Sequence, residues 1–105
     1  MDTLSVDLAD IVQHTVEDYA EGNWLEAQGY AVADPKRRIY AALVVPDYPR
    51  RQQAGIVVMA RVVGDKVIID HDTTDRPLWE ELVRAGIPRE QIILTYAGEQ
   101  VPEAS

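Results

Sequence analysis

The chain has no cysteine. That absence excludes disulfide frameworks, thiolate nucleophiles and cysteine metal ligands. No apolar run approaches the roughly 20 residues that a membrane-spanning helix needs. The N-terminus carries no basic start followed by an apolar core, so it does not read as a signal peptide, and the expected compartment is the cytoplasm. Neither Gly-x-x-x-x-Gly-Lys nor Gly-x-Gly-x-x-Gly occurs, so neither of the common phosphate-cradling loops is present. Ser5 and Ser105 are both near an end of the chain, where a nucleophile is poorly held, and neither has a recognisable base beside it. Nuclease chemistry of the restriction type needs an acid followed by an acid-x-Lys pair. Asp65-Lys66 lacks that spacing and falls in a turn.

What is present fits one ordered α+β domain over all 105 residues, with 98–105 expected to fray. Hydrophobic residues make up 47% and charged residues 27%, and the formal charge is −8. An acidic surface repels nucleic acid, because phosphate binding needs clustered Lys and Arg. The charge is uneven. Residues 1–23 hold six acids and no Lys or Arg, whereas 34–51 hold five bases (Lys36, Arg37, Arg38, Arg50, Arg51) against two acids.

Leu8, Ile11, Val12, Thr15, Val16 and Tyr19 recur at helical spacing, which predicts an amphipathic helix over about residues 4–20. Strands are expected over Trp24–Ala33, Arg38–Val45, Ile56–Val63 and Lys66–Asp70. Asp34-Pro35-Lys36 and Gly64-Asp65 mark turns between them. Thr73, Thr74 or Asp75 should cap a second helix, with Pro77 in its first turn. Gly86 should end that helix in a left-handed conformation, and Pro88 forbids its continuation. Ile92, Ile93, Leu94 and Tyr96 read as a last strand that could pair in parallel. The predicted architecture is a mostly antiparallel sheet of about five strands, with both helices on one face.

Two regions are candidates for function. Asp70, His71, Asp72 and Asp75 are the one concentration of potential metal ligands. In a regular strand, Asp70 and Asp72 would share a face and His71 would point away. The alternative reading is a strand end running into a helix start, where acids interact well with the helix dipole. The second region is the polar Pro46–Gln53 loop. There Tyr48 is the best candidate for an exposed aromatic contact, and Arg50 and Arg51 could steer an acidic partner.

The stretch from Gly64 to Tyr96 resembles the XisI family, the fdxN-element excision controlling factors. The matching pieces are Asp65-Lys66-Val67-Ile68-Ile69, the turn at Asp72 and Thr74, and Glu81-Leu82-Val83. The most specific piece is Gly86-Ile87-Pro88-Arg89-Glu90-Gln91-Ile92-Ile93-Leu94. Weaker similarity reaches back through Gly55-Ile56-Val57-Val58 and Asp34–Tyr40 to Tyr19-Ala20. The chain departs from the family pattern at Met59, where a histidine is usual, and at Pro46-Asp47-Tyr48-Pro49, where a Trp-x-Gly element is usual. The usual C-terminal extension is also shortened here, to Ala97–Ser105.

The resemblance implies a regulatory protein without catalytic residues, cofactor or metal. It would act through contact with a XisH-like protein in the control of DNA-element excision. The expected contact residues are Tyr48, Arg50, Arg51, Asp70, Asp72 and Asp75. Direct binding to nucleic acid or membrane is not expected, and a homodimer is possible. The other reading is a homodimeric module, unrelated to excision, whose cleft holds a small ligand.

Overall fold

A computed structural model describes residues 7–22, 24–47 and 53–101. The elements are α1 (Leu8–Ala20), β1 (Ala27–Asp34), β2 (Ile39–Pro46), β3 (Gly55–Val63), β4 (Lys66–Asp72), α2 (Leu78–Arg84) and β5 (Ile92–Leu94). Single 3-10 turns at Arg89–Gln91 and Thr95–Ala97 flank β5.

The strands lie in the order β1-β2-β3-β4-β5. The first four form an antiparallel meander, and β5 joins β4 in parallel through the α2 crossover. Hairpin connections allow antiparallel neighbours, whereas a parallel neighbour needs a crossover of about a dozen residues or more. The α+β class, the antiparallel meander and the single helical layer agree with the sequence reading.

Among the described residues helix α1 begins at Leu8, where the Asp7 carboxylate caps it by accepting from the Ala9 N–H at 3.1 Å; residues 4–6 of the predicted span lie outside the described residues. Its buried stripe is Ala9, Val12, Thr15, Val16, Tyr19 and Ala20. Against it the sheet presents Tyr40, Ala42, Val58, Ala60 and Val62. Val12, Val16 and Val58 are fully buried, each contributing about 1.5–3 kcal/mol. Thr15 satisfies its hydroxyl by donating to the Ile11 carbonyl at 2.8 Å.

Gly64 closes the β3–β4 hairpin at φ 59°, at the first central position, which type II′ turns reserve for glycine. Gly86, at φ 111°, ends α2 as the sequence predicts. The Gly86 N–H bonds the Val83 carbonyl and the Ile87 N–H the Leu82 carbonyl, a Schellman arrangement that satisfies two helix-end acceptors. Ile87 then buries against the same core as Leu82.

Several boundaries differ from expectation; β4 runs on to Asp72, and three others have local causes. β1 starts at Ala27, after Glu26 takes a left-handed turn at φ 54°. β2 starts at Ile39, since Arg38 occupies the left-handed last position of its hairpin loop at φ 59°. Tyr96 lies in a 3-10 turn beyond β5. The Glu99 side chain accepts from the Leu94 N–H, and the Glu99 N–H bonds the Leu94 carbonyl, so the segment turns back at the strand's end.

Candidate functional site

The strand–helix junction at the end of β4 is built by a β-bulge. Ala60 pairs with Ile69 and Met59 with His71, so Asp70 is an extra residue in the ladder. A bulge resets which way the following side chains point. Asp70 therefore meets Arg61, whose Nε lies 2.6 Å from its Oδ2, while the Thr95 hydroxyl donates to its Oδ1 at 2.5 Å. Asp72 pairs with Val58, on the helix side of the sheet. The expectation that Asp70 and Asp72 share a face is thus corrected, because the inserted residue breaks the two-residue period.

Asp72 organises the turn into α2. Its Oδ1 accepts from the Thr74 N–H at 2.9 Å, and its Oδ2 accepts from the Leu78 N–H at 2.7 Å. The Thr74 hydroxyl sits 2.7 Å from both Asp72 Oδ1 and the Arg76 carbonyl, so its one proton serves one of them at a time. The N-cap position itself is Pro77, which has no side-chain acceptor. The expected capping by Thr73, Thr74 or Asp75 gives way to Asp72, which reaches over the turn to the first free N–H of the helix. Asp75 is exposed beside it. Among the described residues, no three His, Cys, Asp or Glu side chains are grouped as metal ligands would be.

The junction forms one wall of an open cleft of about 470 Å³. The last turn of α1 supplies Asp18 and Tyr19, the following segment supplies Trp24, and the junction supplies Thr74, Asp75 and Arg76. The Tyr19 hydroxyl donates to the Arg76 carbonyl at 2.5 Å, and the Arg76 guanidinium stacks 4.7 Å from the Tyr19 ring centroid. Arg76 Nε also lies 3.9 Å from Glu81. Burial raises the Tyr19 pKa above its ordinary value. The charges of Asp72 and Glu81 add to this, and Arg76 opposes it. The Trp24 indole N–H donates to the Tyr19 carbonyl at 3.1 Å, closing the end of α1. The cleft thus offers an aromatic floor, one stacked cation and an acidic rim. Such a surface suits a basic or aromatic protrusion of a partner, or a small ligand.

Sequence reasoning named Asp70, Asp72 and Asp75, but not Tyr19 and Arg76, which line the cleft with Trp24 beside Asp75. Tyr19 and Arg76 are 57 positions apart, and no local pattern joins them. Tyr48, Arg50 and Arg51 lie outside the described residues. Asp70 is withdrawn from the cleft by its pairing with Arg61 on the far face of the sheet. Among the described residues, no helix is long and apolar enough to cross a membrane.

The structure is similar to that of a XisI-like protein from Anabaena variabilis ATCC 29413. The TM-score is 0.72 and the identity 26%, covering 90% of this chain and 85% of that one. It also resembles the fdxN element excision controlling factor XisI from the same organism in fold, with a TM-score of 0.60 and 20% identity over 86% of this chain and 93% of that one. No curated protein matches. The sequence model of the family described as XisI protein matches residues 1–105, and the chain belongs to that family.

Proposed function

We propose that this chain is a non-enzymatic regulatory protein that binds a XisH-like partner in the control of DNA-element excision. Family membership supports the excision context, since a protein of the same fold is described as an excision controlling factor. The observation that carries the non-enzymatic reading is the use made of the acids. Asp72 is bonded to Thr74 and Leu78, and Asp70 to Arg61 and Thr95. Both act as struts, and they point to opposite sides of the sheet, where they cannot hold one ion between them.

The charge distribution supports action through protein. Residues 1–23 contribute six acids and no base, so the outer side of α1 repels a phosphate backbone. The same acids attract a basic protein surface and speed encounter with it. The proposed contact comprises the rim of the cleft at Asp75, beside the Asp72 strut, together with Tyr48, Arg50 and Arg51 of the β2–β3 connection.

The test is co-expression with a XisH-like protein, followed by size-exclusion chromatography with light scattering. Co-elution at fixed stoichiometry is the expected result, weakened by Asp75→Lys and by alanine at Tyr48, Arg50 or Arg51. A complex indifferent to all four changes would move the interface elsewhere. The aromatic cleft of about 470 Å³ favours one other reading, a small-ligand-binding module. If the chain elutes without the partner, and a thermal-shift screen finds a ligand that raises its melting temperature, that reading takes over.

A further inference from the structure

Both helices pack on one side of the sheet, and α1 and α2 share a single core with it. The other side has no described helix. The strand registers decide which residues it carries. Tyr30 is opposite Leu43, Val32 opposite Ala41, and Gln28 opposite Val45. Leu43 is in turn opposite Ile56, Ala41 opposite Met59, and Val63 opposite Lys66. Directly paired residues share a face, so Tyr30, Val32, Val45, Ile56 and Val63 all belong to this one. These five are each 40–52% exposed, and only four other large hydrophobic side chains among the described residues are comparably open. Scattered exposed apolar side chains need no explanation, but a contiguous set marks a surface made for contact.

We infer that this open sheet face is the interface of a homodimer, in which two copies stack their sheets face to face about a two-fold axis. Area supports the choice. Ile68, which faces this side opposite Arg61, is already fully buried within the single chain, so the open part is that of β1 to β3, with eight or nine residues each. At about 4.8 Å between strands and 3.3 Å per residue, it projects roughly 400 Å². Side-chain relief makes the accessible area larger than the projection. A face-to-face pair therefore buries at least about half of the roughly 800 Å² per partner of a standard specific interface.

Charge supports a second copy as the occupant. On this face Arg61 and Lys66 are balanced by Asp34 and Asp70, and Arg61 and Asp70 already neutralise each other at 2.6 Å. The chain as a whole carries −8. Two copies meeting through their helical layers would oppose Asp10, Glu17 and Asp18 to their own images, whereas the sheet faces meet without net repulsion. A two-fold contact must be self-complementary, and an apolar, charge-balanced sheet face satisfies that condition. Two such sheets pack about 10 Å apart with interdigitated side chains.

The experiment is sedimentation equilibrium on the full chain, wild type against Val32→Glu and Ile56→Lys. The wild type is expected at twice the 11.8 kDa chain mass. Each variant should weaken association by about a hundredfold or more, because the two-fold axis buries every new charge twice without a partner. Both sites are half-exposed in the single chain, so circular dichroism and the melting temperature extrapolated to low concentration should stay the same. Val83→Glu, on α2, should leave the dimer intact. A wild type that is monomeric up to about 100 μM, well above the affinities typical of specific interfaces, would overturn the inference. So would a dimer that survives both sheet-face variants. If the face instead holds a different protein, the wild type stays monomeric alone and the variants abolish that capture, which also rejects the second copy.

Discussion

Gly29→Ala should be among the most destabilising small substitutions in this protein, for a reason confined to one contact. Gly29 lies in β1 beneath the C-terminal end of α1. A Cβ added there would sit 2.0 Å from the Ala20 carbonyl oxygen and 2.9 Å from the Trp24 indole nitrogen. Ordinary contact requires well over 3 Å, so the helix end or the strand must move by more than 1 Å. Overpacking of this kind costs about 1–3 kcal/mol. Displacing Trp24 also endangers its 3.1 Å bond to the Tyr19 carbonyl, a further loss of about 0.5–1.5 kcal/mol. The total is about 2–4 kcal/mol. At roughly 4–8 °C per kcal/mol in a domain of this size, the melting temperature falls by about 10 °C or more. Gly55→Ala is the matched control. It is also a strand glycine, but nothing lies within 4 Å of its added Cβ. There the smaller entropy of the unfolded chain should stabilise by about 0.4–1 kcal/mol. The two variants are predicted to shift stability in opposite directions in urea unfolding followed by circular dichroism. If Gly29→Ala matches Gly55→Ala, the close packing of α1 on β1 is wrong.

Asp72→Ala removes the acceptor of the Leu78 N–H and of the Thr74 backbone, and should cost about 2–3 kcal/mol in urea unfolding by analogy with lost helix caps and charged hydrogen bonds. Thr73→Ala, which removes a hydroxyl 3.4 Å from the Val57 carbonyl, should cost less than about 1 kcal/mol. Glu99 has its pKa lowered, first by the hydrogen bond from the Leu94 N–H and then by Arg89, both of which favour the carboxylate. Its folded pKa lies below its unfolded one, so its contribution is present above the unfolded value of about 4.3 and is lost as pH falls through the folded value. Wild type and Glu99→Gln should therefore differ in melting temperature near neutrality and converge in acid; a gap that persists at the lowest pH would contradict this assignment.

The junctions that could be read in the chain are those whose chemistry is local. Gly64-Asp65 and Gly86-Ile87-Pro88 specify their turns because only glycine adopts the required left-handed backbone without penalty. The α1 stripe announces its buried side by spacing alone. The cap of α2 was misread for the opposite reason. Three oxygen-bearing side chains stand nearer to the helix than Asp72, and only the folded turn decides which of them reaches the Leu78 N–H. The Asp70–Asp72 pairing failed likewise, since a bulge is a property of two paired strands and leaves no mark in one of them.

Composition and local pattern by themselves determined the class of the fold, the number of strands, the C-terminal stop of α2 and the acidic character of residues 1–23. These depend on backbone sterics and on period, which act over a few residues. The tertiary structure alone decided that Tyr19 and Arg76 share a cleft, that Asp70 and Asp72 part company, and that Gly29 must lack a side chain. It also decided that Tyr30, Val32, Val45, Ile56 and Val63 collect on the one face that lies away from the helices. Each of these depends on strand register, and register is fixed only when distant segments commit their apolar sides to a common core.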